Sequence, residues 1–215
     1  MIICLFNAKG GVSKSTCSVH LAYYLTKICG FTVALVDADP MRISSFWVNE
    51  LDIDLTVFQL TDPDNFLEQI PEISSKYDYT IVDCPANASE MNRAIVFALS
   101  TKDKLLIPVK PTSVDKIASN PTLRLIKQAT IHGKEFKAAT FISMAHRSRA
   151  VTTETLDYLK GKEQDTGVKA LNSIIYDKAS IADALDQGGI VWNMGNRAVS
   201  EQQEFKQWCE EVVKL

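Results

Sequence analysis

Seven short apolar runs alternate with segments of helical length, and this alternation restricts the fold more than any other feature of the chain. The runs are Ile2–Phe6, Thr32–Val36, Leu55–Leu60, Tyr79–Val82, Leu105–Val109, Phe136–Ser143 and Val168–Ile175. Runs this short and this evenly apolar read as strands buried on both faces. A helix is predicted after the first run, with Leu21, Leu25 and Ile28 on one face, and others over Asp64–Ile73 and near 89–100, 113–130, 152–161, 179–187 and 199–214. Strands alternating with helices make βαβ units. The expected fold is therefore α/β: three α/β/α layers around a mainly parallel, doubly wound sheet. Ligands of such sheets bind at the carboxyl ends of the strands, so the loops after Phe6, Val36, Val82 and Val109 should converge on one site.

The rest of the composition agrees with such a fold. The chain has 215 residues and no linker-like segment, so a single domain over 1–215 is expected. Apolar residues make up 46% and charged residues 23%, which excludes a disordered or collagen-like chain. No apolar stretch approaches the ~20 residues that cross a bilayer. Met1 runs directly into Ile-Ile-Cys-Leu-Phe without a basic leader segment, and a cytoplasmic protein is expected. The five cysteines (Cys4, Cys17, Cys29, Cys84, Cys209) form no C-x-x-C pair and read as buried reduced thiols. His20, His132 and His146 are too scattered for a metal site. Net charge is −3, yet residues 102–149 carry ten Lys/Arg against three acids, a net of +7 that leaves −10 for the remainder. Such asymmetry can mark a face that meets a polyanion.

The chemistry concentrates in Lys9-Gly10-Gly11-Val12-Ser13-Lys14-Ser15-Thr16, between the first run and the first helix. Glycines let a backbone wrap closely enough for its N–H groups to reach phosphate oxygens, and the helix N-terminus adds favourable partial charge. In a loop of this kind Lys14 would reach the β- and γ-phosphates, Ser15 would offer a hydroxyl to Mg²⁺, and Thr16 could bond the α-phosphate. The ordinary G-x-x-x-x-G-K-[ST] pattern is not met, since Ala8 and Ser13 stand at its two glycine positions. A glycine-rich turn that merely caps a helix is the bland alternative.

Lys9, a second lysine five residues before Lys14, makes the segment resemble the deviant Walker A motif K-G-G-x-x-K-[ST] of the ParA/MinD family. Three further segments resemble that family in order: Val36-Asp37-Ala38-Asp39-Pro40, Ile81-Val82-Asp83-Cys84-Pro85, and Ile107-Pro108-Val109-x-Pro111-Thr112 with Asp115. Ile181, Ala184, Gly188 and Val191 resemble the family's pattern after its last strand. The resemblance implies a SIMIBI-like P-loop NTPase that binds ATP and Mg²⁺ through residues 9–16. Lys9, Lys14 and Asp39 would be catalytic, and Ser15, Asp39 and Asp83 would face the metal. It further implies an ATP-bound homodimer in which Lys9 reaches across the interface, non-specific DNA binding, and a separate centromere-binding partner of the ParB type. A nucleoid-associated partition ATPase is the leading expectation, and no helix-turn-helix domain is expected before the first strand. Positioning of a protein cargo such as a carboxysome or chemoreceptor cluster, and a nucleotide-binding scaffold of low turnover, stay open beside it.

Two positions depart from the family pattern. Ser13 replaces the usual Gly, and if that position requires positive φ, its Cβ costs on the order of 1–2 kcal/mol. Met41 stands where many relatives carry Gln. Other readings come from the residues themselves. Asp37 and Asp39 could equally end a strand and cap a turn, and Lys9 in a single protomer reads as a solvated surface lysine. Within the basic stretch Arg147 and Arg149 are the first candidates for DNA contact, followed by Lys134 and Lys137. Phe205, Trp208, Cys209 and Val212 form a stripe at helical spacing that should dock on the sheet, and the acidic balance of residues 199–215 argues against a membrane partner.

Overall fold

A computed structural model describes residues 1–51, 53–86, 90–146 and 149–215. The strands are β1 (Ile2–Leu5), β2 (Val33–Asp37), β3 (Thr56–Gln59), β4 (Tyr79–Asp83), β5 (Lys104–Val109), β6 (Lys137–Ala145) and β7 (Lys169–Tyr176). They lie in one sheet, in the order β3-β2-β4-β1-β5-β6-β7, with parallel pairing throughout. All seven runs are strands, and the sheet is parallel as the buried, non-alternating pattern requires. Around β1 the order reverses, with β4 on one side and β5 on the other, so the loop after β1 opens at a switch point of the sheet.

The helices are α1 (Lys14–Tyr23), α2 (Ile43–Glu50), α3 (Pro63–Lys76), α4 (Glu90–Ala98), α5 (Ser113–Ala118), α6 (Asn120–Ile131), α7 (Arg149–Thr166), α8 (Ala179–Asp186) and α9 (Val199–Lys214). One face of the sheet buries Phe66 and Ile70 of α3, Ile95 of α4, Ile126 of α6 and Leu159 of α7. The other buries Leu21 of α1, Trp47 of α2, Ala184 of α8 and the α9 stripe Phe205, Trp208, Cys209 and Val212, which is wholly buried as its spacing predicted. Among the described residues no helix is long and apolar enough to cross a membrane.

Several local expectations are corrected. The segment 113–130 is two helices: Pro121, which lacks an N–H, fits only a first turn, so α5 stops at Ala118 and α6 begins around it. Helix α2 was not predicted, because its N-cap is Arg42 in a left-handed conformation (φ 54°) without any side-chain cap. The helix expected over 152–161 runs through Gly161 to Thr166. After Tyr23 the first helix passes into a π-turn over Tyr24–Ile28, in which Cys29 N–H donates to Tyr24 C=O at 3.0 Å. The wider turn shifts the helical phase and leaves Ile28 52% exposed instead of on the buried face. Cys29, just beyond, is exposed, whereas the other four cysteines are buried free thiols.

Candidate nucleotide site

Strands β1, β2 and β4 end together, with Leu5 and Asp37 both in register with Asp83, and this brings their loops to one edge of the sheet. The loop after β1 is pinned at both ends. Asn7, which the sequence reading did not single out, is buried and donates through Nδ2 to Pro108 C=O at 2.8 Å while its Oδ1 accepts from Lys9 N–H at 2.9 Å. Ser143 of β6 donates to Val12 C=O at 3.0 Å, so β6 fixes the far end of the loop.

Ser13 has φ 67° and ψ 24°, the left-handed region in which the sequence reading foresaw a penalty. Its hydroxyl donates to Val12 C=O at 2.5 Å and does not cap α1. The first-turn amides of α1 are therefore without a side-chain acceptor, which suits an incoming anion. We expect Ser13→Gly to relieve about 1 kcal/mol of strain and raise Tm by about 2–4 °C, measured by calorimetry. A fall in Tm would show that the Ser13–Val12 hydrogen bond outweighs the strain.

Lys14 is buried, and its ammonium donates to Lys9 C=O at 3.1 Å. Burial lowers its pKa below the ordinary lysine value, while Asp83 is the largest of the groups pulling it back up. Asp83 is fully buried. Its Oδ1 accepts from Ser18 Oγ at 3.2 Å, and its Oδ2 has no hydrogen-bond partner of ordinary geometry. Burial pushes the Asp83 carboxyl up to about 7, tempered by the Ser15 hydroxyl. A carboxylate in this condition gains from a nearby cation.

The two aspartates after β2 divide their roles. Asp37 is fully buried and accepts from Asp39 N–H at 3.1 Å and Ser45 N–H at 2.8 Å, so it braces the turn into α2, the structural one of its two readings. Asp39 is partly exposed and accepts from Met41 N–H at 2.9 Å and, across the site, from Ala86 N–H at 3.3 Å. Ser15, Asp39 and Asp83 thus offer only hard oxygen donors, the kind Mg²⁺ takes together with substrate phosphates.

A cleft of about 520 Å³ opens here, lined by Gly10, Gly11, Ser13, Lys14, Ser15, Thr16 and Asp39. Its apolar side comes from Met41, Ile43, Trp47, Ile175, Ile181 and Leu185, with Tyr176, Asp177 and Lys178 beside them. The size and the split between a polar loop and an apolar wall suit a nucleotide, with phosphates at one end and a base at the other. The loop after β7 contributes to the cleft without a local sequence signal of its own, apart from Ile181 of the pattern after the last strand. Conversely, no residue of the loop after Val109 lines the cleft. Helix α5, which follows that loop, carries Asp115, whose Oδ1 lies 2.5 Å from Lys9 Nζ, so in this protomer Lys9 is ion-paired and not simply solvated.

The described candidate DNA contacts are not brought together. Arg147 lies outside the described residues. Arg149 opens α7 just after the carboxyl end of β6, whereas Lys137 begins β6 at its other end. Nine residues of strand span about 26 Å between these ends. Lys134 donates to Phe97 C=O at 2.5 Å and sits 5.6 Å over the Phe97 ring, near the Lys137 end. Arg149 and the pair Lys134 and Lys137 therefore stand at opposite ends of β6.

A family model described as the CobQ/CobB/MinD/ParA nucleotide binding domain matches residues 3–194. Among curated proteins, a maintenance of carboxysome distribution protein A from Halothiobacillus neapolitanus is 29% identical, over 96% of this chain and 94% of its own length. Protein ParA from Rhizobium radiobacter is 24% identical, over 91% and 87%. Among solved structures, an ATP complex of Cyanothece McdA superposes with a TM-score of 0.77 at 14% identity, covering 98% of this chain and 95% of the other.

Proposed function

The chain belongs to the CobQ/CobB/MinD/ParA family of nucleotide-binding domains, and on that premise we propose that it is a ParA-type ATPase, one domain over 1–215 that uses ATP to close a homodimer on DNA. The observation that carries this reading is the cleft itself, where Lys14, the first-turn amides of α1, Ser15 and Asp39 line one wall above the buried Asp83. Residues 9–16 would hold the triphosphate, and Ser15, Asp39 and Asp83 would hold Mg²⁺. Bound there, Mg²⁺ supplies charge neutralisation at the phosphates. Asp39, the partly exposed carboxylate, would orient the attacking water, and Lys14 would stabilise charge on the transferring group.

Lys9 is the residue whose role needs two copies. It does not line its own cleft and is tied to Asp115. Met41, Phe46, Val114 and Ile117, on α2, α5 and the loop before α2, are 63–74% exposed around the same edge of the sheet, an apolar rim that closure would cover. Lys9→Ala should therefore leave ATP affinity within about threefold of wild type, a difference of roughly 0.6 kcal/mol, and abolish ATP-dependent dimerisation. Nucleotide titration beside light scattering checks this, and equal loss of both would place Lys9 on its own nucleotide.

The cargo has two readings. Plasmid or chromosome segregation, with a ParB-type partner and nucleoid association, is supported by the similarity to protein ParA along most of the chain. Positioning of a protein cargo is supported by the similarity to a carboxysome distribution protein over 96% of the chain. ATP hydrolysis measured with and without duplex DNA tests the ATPase reading, and no turnover above background in either condition would overturn it in favour of a scaffold. Capture of the partner from cells then separates a centromere-binding protein from a cargo adaptor.

A further inference from the structure

The +7 segment 102–149 does not act as one surface. Lys104 is buried and donates to Val212 C=O and Val213 C=O, both at 2.9 Å, so its charge caps the end of α9. Lys134 is engaged with Phe97. Of the other basic residues, Lys116, Arg124 and Lys127 lie on α5 and α6, and residues 116–134 contain no acid at all.

Arg124 and Lys127 are exposed and stand three residues apart on α6, hence on one side of the helix. They line a groove of about 210 Å³ between α6 and α7, with Lys162 on its opposite wall. Lys162 Nζ lies 5.5 Å from the centre of the Tyr158 ring, and Lys116 Nζ lies 5.9 Å from the same ring. Tyr158 in turn donates through its hydroxyl to Asn120 Oδ1 at 3.2 Å, which ties the two helices together at the head of the groove. None of these four cations is within ion-pairing distance of a described carboxylate, and Asp165 is the one acid lining the groove. Like charges that outnumber the one acid beside them repel one another, and a polyanion would relieve that repulsion.

We propose that the α6–α7 groove, through Arg124, Lys127, Lys162 and Lys116, grips the phosphate backbone of duplex DNA. This rests on the DNA-binding reading above and gives it a place. The groove shares no residue with the nucleotide cleft, and α6 and α7 pack on the face of the sheet opposite α1. A folded protein partner would need an apolar pocket for an anchoring side chain. Here Leu123 is the apolar side chain in the lining, and the rest are polar or charged. Head groups on long stems with no base-reading fork held in place suit contacts that ignore sequence.

The test is fluorescence anisotropy with two unrelated labelled duplexes, in ATP and Mg²⁺. It compares wild type, Arg124→Gln/Lys127→Gln and Arg147→Gln/Arg149→Gln. Each phosphate contact contributes a factor of about 5 at about 0.15 M salt through counterion release, so losing two should weaken binding about 25-fold per protomer and flatten the salt slope by about 1.8. Both duplexes should be affected alike. ATP affinity and Tm of the α6 variant should match wild type, since both side chains are exposed and remote from the cleft. Wild-type DNA affinity in the Arg124→Gln/Lys127→Gln variant overturns the proposal, and if the Arg147→Gln/Arg149→Gln variant alone loses DNA, the DNA reading survives with its face moved. No DNA binding by the wild type would end both. Unchanged DNA binding with lost binding to poly-glutamate would assign the groove to an acidic protein instead.

Discussion

Lys14→Ala is expected to lower ATP affinity by at least about 100-fold while leaving the apo protein no less stable than wild type. Two charge-assisted hydrogen bonds to phosphate oxygens are worth about 3 kcal/mol together at the low end, which sets the scale of the loss. The second half of the expectation comes from burial. The Lys14 ammonium is almost wholly removed from solvent, its pKa is lowered by that burial, and it donates to a single carbonyl, that of Lys9. Placing a charge there costs desolvation that only a polyanion repays. Removing it should thus sacrifice binding and spare stability, the division expected of a functional and not a structural lysine. Titration with a fluorescent ATP analogue measures the first effect and calorimetry of the apo protein the second. A large fall in apo stability with little change in ATP affinity would make Lys14 a structural residue.

The five inner strands were legible because burial on both faces demands apolar runs, whereas the edge strands β3 and β7 are only partly buried and were marked by their β-branched and apolar residues between turn signals. The place of the glycine-rich loop was equally legible, since it falls between the first strand and the first helix, and Gly10, Gly11, Ser13, Lys14, Ser15 and Thr16 line the cleft. What escaped was set by tertiary structure. Helix α2 starts from a left-handed Arg42, a position for which propensity supplies no signal. Asn7 looks like any polar residue after a strand, yet it holds the phosphate loop to β5 through Pro108. The apolar wall at Ile175 and Ile181 comes from β7, three places from β1 in the sheet, and from α8 after it, so its nearness to the loop follows from strand order and not from sequence spacing. The spread of the basic segment follows from the same cause: its charges are contiguous in sequence, but strand β6 carries the chain from the amino end of the sheet to the carboxyl end and parts Lys137 from Arg149.

Asp39 is the position at which structure and chemistry compete most directly, and the second large effect is expected there. Its carboxylate accepts from Met41 N–H within its own turn and from Ala86 N–H in the loop after β4. It could be no more than a turn residue that joins two loops. If it also orients the water, Asp39→Ala should lower the ATP turnover rate by about 100-fold to 10,000-fold, the usual worth of a positioned general base, while ATP still binds and the dimer accumulates. Alanine alone does not separate the two roles, because it removes the turn contacts with the charge. Asp39→Asn keeps an oxygen for Met41 N–H and nearly the same volume but loses the negative charge and one acceptor. A structural Asp39 would therefore be largely restored by asparagine in both Tm and turnover. A water-orienting Asp39 would be restored in Tm alone, with turnover as low as in the alanine variant and ATP-dependent dimers persisting in light scattering. Turnover near the wild-type value in Asp39→Asn would remove Asp39 from the chemistry and leave Asp83, buried with a free oxygen beneath the loop, as the carboxylate that governs it.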